Sequence, residues 1–320
     1  MKRRYFLAAS GSLLLPLPAR AQPRMRRVGV VSVGELKRQP LASLVQGLRE
    51  LGHEEGRNLE LLAPTASQYG RLEELAAVLV KREPEVIVTW GTTATRAAKA
   101  ATWTTPIVMV IGGDPVASGF VRSLARPEGN ITGISTSAQA LSLKRVELVR
   151  EMLPGIRRIG LLWSGESGSQ AITMKRVEDA AVKMGLAVHD AEVSDPRALK
   201  AAFEALSAAK VEALIPIASA LLNRESAEIA KLALARRIPV IAYEDNAVRA
   251  GALVSYGPDY PAQFRRAATL VDRVLKGAKP AEMAVEQPTK FELVINLKTA
   301  KTLGIEIPKE VMFRADEVIQ

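Results

Sequence analysis

Only 4% of the chain is aromatic, yet Trp90, Trp163, Tyr243 and Tyr256 all fall where β-branched runs end. In an open parallel sheet, those ends and the helix starts that follow them are where ligands sit. The ends read Trp90-Gly91-Thr92-Thr93, Gly112-Gly113-Asp114-Pro115, Trp163-Ser164-Gly165-Glu166-Ser167, Ile217-Ala218-Ser219 and Tyr243-Glu244-Asp245-Asn246, with Ser255-Tyr256-Gly257-Pro258-Asp259-Tyr260 after them. Such residues offer recognition chemistry. Aromatic faces cover an apolar or ring-bearing ligand, free N–H groups at helix starts favour a carboxylate, and Asp114, Glu244 and Asp245 suit a cation. The candidate ligand-binding set is Trp90, Thr92, Thr93, Gly113, Asp114, Ser135, Trp163, Ser164, Ser167, Ser219, Tyr243, Asp245 and Tyr256. Each has a structural alternative, because an aromatic at a strand end also caps a core and Asp114 or Asp245 also caps a helix.

Catalytic signatures are missing. The sequence has no GxGxxG after a strand, no GxxxxGK[ST], no HExxH and no GxSxG, so nucleotide, zinc-protease and hydrolase chemistry each lack their defining residues. Its two histidines, His53 and His189, fall near a helix end and within a strand, neither beside a nucleophile elbow. Glu244 and Asp245 are adjacent, so their side chains diverge and do not make an acid–base pair. With no cysteine anywhere, disulfides, thiolate metal sites and thiol nucleophiles are excluded together. The expectation is a protein with no catalytic residues, no metal and no cofactor.

The elements that must position these residues alternate as βαβ units do. Strands are expected at 27–33, 59–63, 86–90, 107–111 and 131–134, with helices at 41–51, 71–81, 93–101 and near 116–124. After a long helix at 138–152 a second series follows: strands at 158–163, 187–193, 213–217 and 240–243, and helices at 170–184, 196–208 and 224–235. The fold class is α/β, two doubly wound parallel-sheet lobes joined by a hinge of several crossovers. The expected division is 26–134 for the first lobe, with a return segment at about 258–286, and 135–257 for the second, with a C-terminal segment at about 290–320. No Gly/Ser/Pro tether separates them, so the crossovers are expected at Ser135-Thr136, Gly257-Pro258 and Glu286–Lys290.

Residues 1–21 read as a signal peptide: Lys2, Arg3 and Arg4, an apolar stretch from Phe6 to Leu17, and Ala19-Arg20-Ala21 before the cut. Arg3-Arg4 also suits twin-arginine export, and the Sec and Tat routes both stay open. No later run is long enough to span a bilayer, and no cysteine provides a lipid anchor, so the mature protein is expected soluble in the periplasm. Net charge is +10, of which Lys2, Arg3, Arg4 and Arg20 contribute +4. The remaining basic residues are spread over helices with no aromatics interleaved, which argues against nucleic acid.

Several stretches are specific. Gly112-Gly113-Asp114-Pro115-Val116, Arg126-Pro127-Glu128-Gly129-Asn130-Ile131-Thr132-Gly133, Leu253-Val254-Ser255-Tyr256-Gly257, Gln287-Pro288-Thr289-Lys290-Phe291-Glu292-Leu293-Val294-Ile295-Asn296-Leu297-Lys298-Thr299-Ala300-Lys301 and Arg314-Ala315-Asp316-Glu317-Val318-Ile319 span the mature chain. In these the sequence resembles the ABC-transporter substrate-binding family that includes tryptophan/tyrosine-type binding proteins. The resemblance implies a periplasmic-binding-protein type I-like clamp, monomeric, that holds a small-molecule solute between its lobes and hands it to an ABC permease in the inner membrane. An amino acid or related organic anion or zwitterion is the expected solute. Two alternatives share the architecture: a cleft enzyme with two α/β lobes, and a periplasmic sensory ligand-binding protein.

Overall fold

The structure, a computed structural model, describes residues 25–32, 38–63, 71–135, 138–165, 168–288 and 290–320. The expected signal peptide, residues 1–21, lies outside the described residues, as do Thr136 and Ser167.

The first sheet is built from β1 (Arg26–Ser32), β2 (Leu59–Leu62), β3 (Val86–Trp90), β4 (Ile107–Gly112) and β5 (Ile131–Ser135), in the order β2-β1-β3-β4-β5 and parallel throughout. Parallel strands are covered on both faces, which is why the strand residues run as unbroken apolar stretches. Alternation then sorts them. Val86, Val88, Val108 and Val110 face one core, and Ile87, Ile107 and Met109 face the other. Helices α1 (Arg38–Glu50), α2 (Leu72–Val80) and α3 (Thr92–Ala101) cover this sheet. The helix expected near 116–124 is instead a series of turns, in which Phe120 N–H bonds the Pro115 carbonyl and Phe120 and Val121 are buried. Pro115 and Gly119 close tight turns there, and the stretch has no helical apolar stripe to bury.

The second sheet follows α4 (Ala138–Met152). It contains β6 (Arg158–Trp163), β7 (Ala187–Glu192), β8 (Ala213–Pro216), β9 (Ile241–Ala242), β10 (Val254–Pro258), β11 (Phe291–Asn296) and β12 (Glu317–Ile319). Two hydrogen-bonded groups, β7-β6-β8 and β12-β11-β10-β9, are joined by a parallel bridge between Leu214 and Val240. Among the described residues only β10 and β11 pair antiparallel. Around it lie α5 (Gly168–Lys183), α6 (Leu199–Ala208), α7 (Ala220–Arg224), α8 (Ser226–Ala235), α9 (Asp245–Arg249), α11 (Leu297–Leu303) and α12 (Lys309–Phe313).

The remaining helix, α10 (Tyr260–Leu275), follows a strand of the second sheet but packs on the first. Its buried residues Phe264, Ala267, Ala268, Val271, Val274 and Leu275 fall on one 3.6-residue stripe, which lies against α1, β3, β4 and β5. The chain therefore passes between the sheets three times: from β5 into α4, from β10 into α10, and from Glu286 into β11. At the third passage Glu286 bridges Ile134 of β5, and Arg266 of α10 holds its carboxylate through two bonds of 2.7 Å.

Candidate functional site

The tips of β3, β4 and β5 are stitched together by the polar residues that follow them. Gly91, at φ +87°, takes a backbone conformation closed to most side chains and turns the chain into α3. Thr92 Oγ1 then accepts from Gly113 N–H at 3.1 Å, and Ser135 Oγ donates to the Gly113 carbonyl at 3.2 Å. Thr93, half-buried, stands beside Thr92. Asp114 is exposed, and its Oδ1 accepts from the N–H groups of Val116 and Ala117 at 3.0 Å each, so its carboxylate caps a turn. Trp90 is half-buried and stands edge-on to Phe264 of α10, with ring centroids 5.4 Å apart.

In the second sheet, Tyr243 is 6% exposed and donates its hydroxyl to the Ser219 carbonyl at 2.9 Å. Ser219 Oγ in turn caps α7 by accepting from Leu222 N–H. Beside Tyr243, Gly257 has no room for a side chain, because a Cβ would lie 2.1 Å from the Tyr243 carbonyl oxygen. Asp245 opens α9 and accepts from Arg249 Nε at 3.1 Å, and Arg249 also reaches Glu317 at 2.8 Å. Both pairs are exposed and stabilise little.

Together these elements enclose a cleft of about 590 Å³, within the ordinary size of a small-ligand site. Pro40 of α1 and Trp90 come to it from the first sheet's side, facing Tyr243, Glu244, Asp245 and Ser255 of the second. Of the candidates, Trp90, Tyr243 and Asp245 thus meet across one gap, while Thr92, Thr93, Gly113, Asp114 and Ser135 gather at the tips near Trp90. Three others lie elsewhere. Trp163 donates its indole N–H to Asp190 of β7 at 2.9 Å and covers the α5 side of the sheet. Ser164 is fully buried. Tyr256 alternates away from its cleft-facing neighbours Ser255 and Gly257 and packs on Phe291, 6.0 Å between centroids.

One group behind this wall has no counterpart among the candidates. Arg145 of α4 is 1% exposed, with its guanidinium 5.7 Å from the Tyr243 ring centroid. Its Nε donates to the Tyr256 carbonyl at 3.1 Å, and its Nη1 donates to Ser142 Oγ at 3.2 Å. Among the described residues no carboxylate lies within ion-pair distance of it. Burial lowers its pKa to about 10, with the nearby Tyr260 and Tyr243 acting weakly the other way. Tyr260, the first residue of α10, is pushed well above the ordinary phenol range, by burial first and then by the charge of Glu244, to which it is hydrogen-bonded. Sequence carried one signal for Arg145: it occupies the stripe of Leu141, Leu148 and Met152, where an amphipathic helix places apolar residues.

Two sheets each covered by helices, three passages of chain between them and a polar–aromatic cleft where they meet are the architecture of the periplasmic-binding-protein type I-like fold. The chain belongs to the ABC transporter substrate binding protein family, which matches residues 36–319. It is 28% identical to a tyrosine-binding protein of Clostridioides difficile over 264 residues, 82% of this chain and 75% of that protein. A conserved domain protein of Vibrio cholerae has the same architecture, with TM-score 0.86 and 28% identity over 92% of this chain and all of that one. So does an ABC domain from Streptococcus pneumonia solved with L-Trp, with TM-score 0.84 and 24% identity over 92% of this chain and all of that one. No described helix is long and apolar enough to cross a membrane.

Proposed function

We propose that this protein is the periplasmic solute-binding component of an ABC importer, exported by its N-terminal segment, and that it holds an amino acid or related zwitterion between its lobes. It acts as a monomer, presents the loaded solute to a permease in the inner membrane, and performs no chemistry on it. The observation that carries this reading is the cleft with Trp90 on one wall and Tyr243 to Asp245 on the other, in a chain whose lobes are joined by three short passages. Each wall alone buries half a ligand. Rotation about the passages brings the second wall onto it, and closure is favoured only by the contacts a ligand gains in the closed state. Membership of the substrate-binding family, and the tyrosine and L-Trp in the names of two similar proteins, support both the role and the class of solute.

The test is a thermal-shift screen of the purified protein against amino acids, sugars and organic acids. A ligand at a hundred times its Kd stabilises the folded state by about 2.7 kcal/mol. We expect amino acids, aromatic ones foremost, to raise Tm. A rise with sugars alone would replace the solute class, and turnover of any bound compound would replace the role.

A further inference from the structure

Arg145 stands where packing alone calls for an apolar residue. It shares the stripe of Leu141, Leu148 and Met152 on α4, and a methionine would fill the same space with no charge to bury. What the guanidinium adds is geometry. It is planar and rigid, so it can donate in one direction and lie over an aromatic ring in another. Arg145 does both: its Nε donates to the Tyr256 carbonyl at 3.1 Å, and the Tyr243 ring centroid lies 5.7 Å from its central carbon. Ser142 Oγ, one turn back on α4, accepts from Nη1 at 3.2 Å and fixes the plane.

These contacts fall at the parts a clamp must keep in register. Ser142 and Arg145 belong to the helix that follows the first passage between the sheets. Tyr256 is followed by Gly257, Pro258 and Asp259, where β10 gives way to α10 at the second passage. Tyr243 is part of the cleft wall, and that wall holds together as one body. The Tyr243 hydroxyl donates to the Ser219 carbonyl at 2.9 Å, and its own carbonyl leaves Gly257 no room for a Cβ. Next to it, Glu244 accepts from Asn223 at 2.6 Å and Asn246 donates to Asn223 at 3.1 Å, a polar floor under the cleft. Tyr260, the first residue of α10, is hydrogen-bonded to Glu244, and α10 itself packs on the first sheet. Wall and passage thus meet beside one guanidinium.

We propose that Arg145 is a positioning residue for solute binding: it ties the Tyr243 wall to the end of β10, so that the wall is ordered before the solute arrives and the lobes turn about a fixed point. This rests on the reading of the cleft as the solute site. A wall ordered in advance spares binding the entropy of fixing it. Loss of the tie should therefore appear as weaker binding and a wider range of lobe positions, beyond any loss of stability.

The test measures both in the full mature chain. Because the sequence has no cysteine, Val78→Cys on α2 and Val182→Cys on α5, both exposed, take spin labels that report the distance between lobes without solute. Isothermal titration with L-tyrosine and L-tryptophan reports binding. In Arg145→Met we expect the distance distribution to widen about twofold and binding to weaken about tenfold. Arg145→Lys keeps a cation without the planar fork, should show both effects to a smaller degree, and carries the test should the methionine variant fail to fold. Ile159→Val, a core substitution on β6 away from the cleft, costs comparable stability and should show neither. An unchanged distance distribution, or binding as tight as wild type, would overturn the inference, as would equal weakening by Ile159→Val. If the wild type bound neither amino acid, the proposed solute class would fall, and the distance distribution alone would decide the role of Arg145.

Discussion

Arg145 provides a quantitative test of how the wall behind the cleft is held. Its pKa, lowered to about 10 by burial, means that folding holds this charge at a cost of roughly 3 kcal/mol. Opposing that cost are two charge-assisted hydrogen bonds, to the Tyr256 carbonyl and Ser142 Oγ, each on the order of 1.5–3 kcal/mol. Contact with the Tyr243 ring adds about 2 kcal/mol for a desolvated cation. Arg145→Met keeps most of the volume and removes cost and gain together. The balance is a net loss of about 2–5 kcal/mol, which burial of the methionine side chain offsets by about 1.5–3 kcal/mol, so we expect a loss on the order of 1–2 kcal/mol. Arg145→Ala loses the same bond to the Tyr256 carbonyl as the methionine variant but adds a void beside Tyr243, and should lose about 3–5 kcal/mol. A cation with a lowered folded-state pKa is held at a cost at any pH below that value, and the cost is relieved only as pH rises from about 10. The difference between wild type and Arg145→Met should therefore be flat from about pH 5 to 9. Urea unfolding of the three proteins across that range is the assay. If methionine were as damaging as alanine, the near-cancellation of the charge terms would be refuted.

The close approach of β10 to Tyr243 makes a second prediction: the Cβ of Gly257→Ala would sit 2.1 Å from a backbone oxygen, so the variant should lose at least about 2 kcal/mol in urea and bind solute more weakly. The same substitution at Gly52, where a Cβ meets nothing but the backbone is at φ +89°, should leave binding unchanged. Acid stability should depend on Asp272 of α10. Burial raises its pKa, but bonds from Lys276 at 2.8 Å and His53 at 2.9 Å outweigh that and lower it overall. Its contribution is present above about pH 4, the ordinary aspartate range, and is lost as pH falls through the lower folded-state value. Asp272→Asn should be less stable at pH 7 and show a flatter fall in urea midpoint between about pH 4 and 2. An unchanged slope would mean other carboxylates govern acid unfolding.

The layout of the fold was readable because parallel strands are buried on both faces. Val86–Trp90 and Ala213–Pro216 are short apolar runs that only a covered strand explains, and the helices between them carry apolar stripes. Where that logic lapses, the reading lapsed too. Residues 116–124 are apolar enough to suggest a helix, but Phe120 and Val121 bury themselves from turns. The strand expected at 240–243 is only Ile241–Ala242, and 224–235 divides at Glu225 into the end of α7 and all of α8.

Strand ends pointed to the cleft between the sheets, because topology alone places several of them at that gap. They could not say which side chains face it. Tyr256 and Ser255 are neighbours in sequence and lie on opposite faces of β10, so naming the aromatic chose the wrong face of the strand for the cleft. Trp163 likewise ends a strand but finds its hydrogen bond on Asp190 of the adjoining strand, a partner 27 residues away whose register no local pattern reveals. The polar floor depends on longer relations still. Glu244, Asn223 and Tyr260 come from three separate elements, and the orientation of the Asn246 amide follows only once the bond between Asn223 and Glu244 is known. What a binding site recognises is set by the donors and acceptors left over. Composition shows which catalytic motifs are missing and topology places the cleft, but which donors and acceptors face it emerges only from tracing each hydrogen bond to its end.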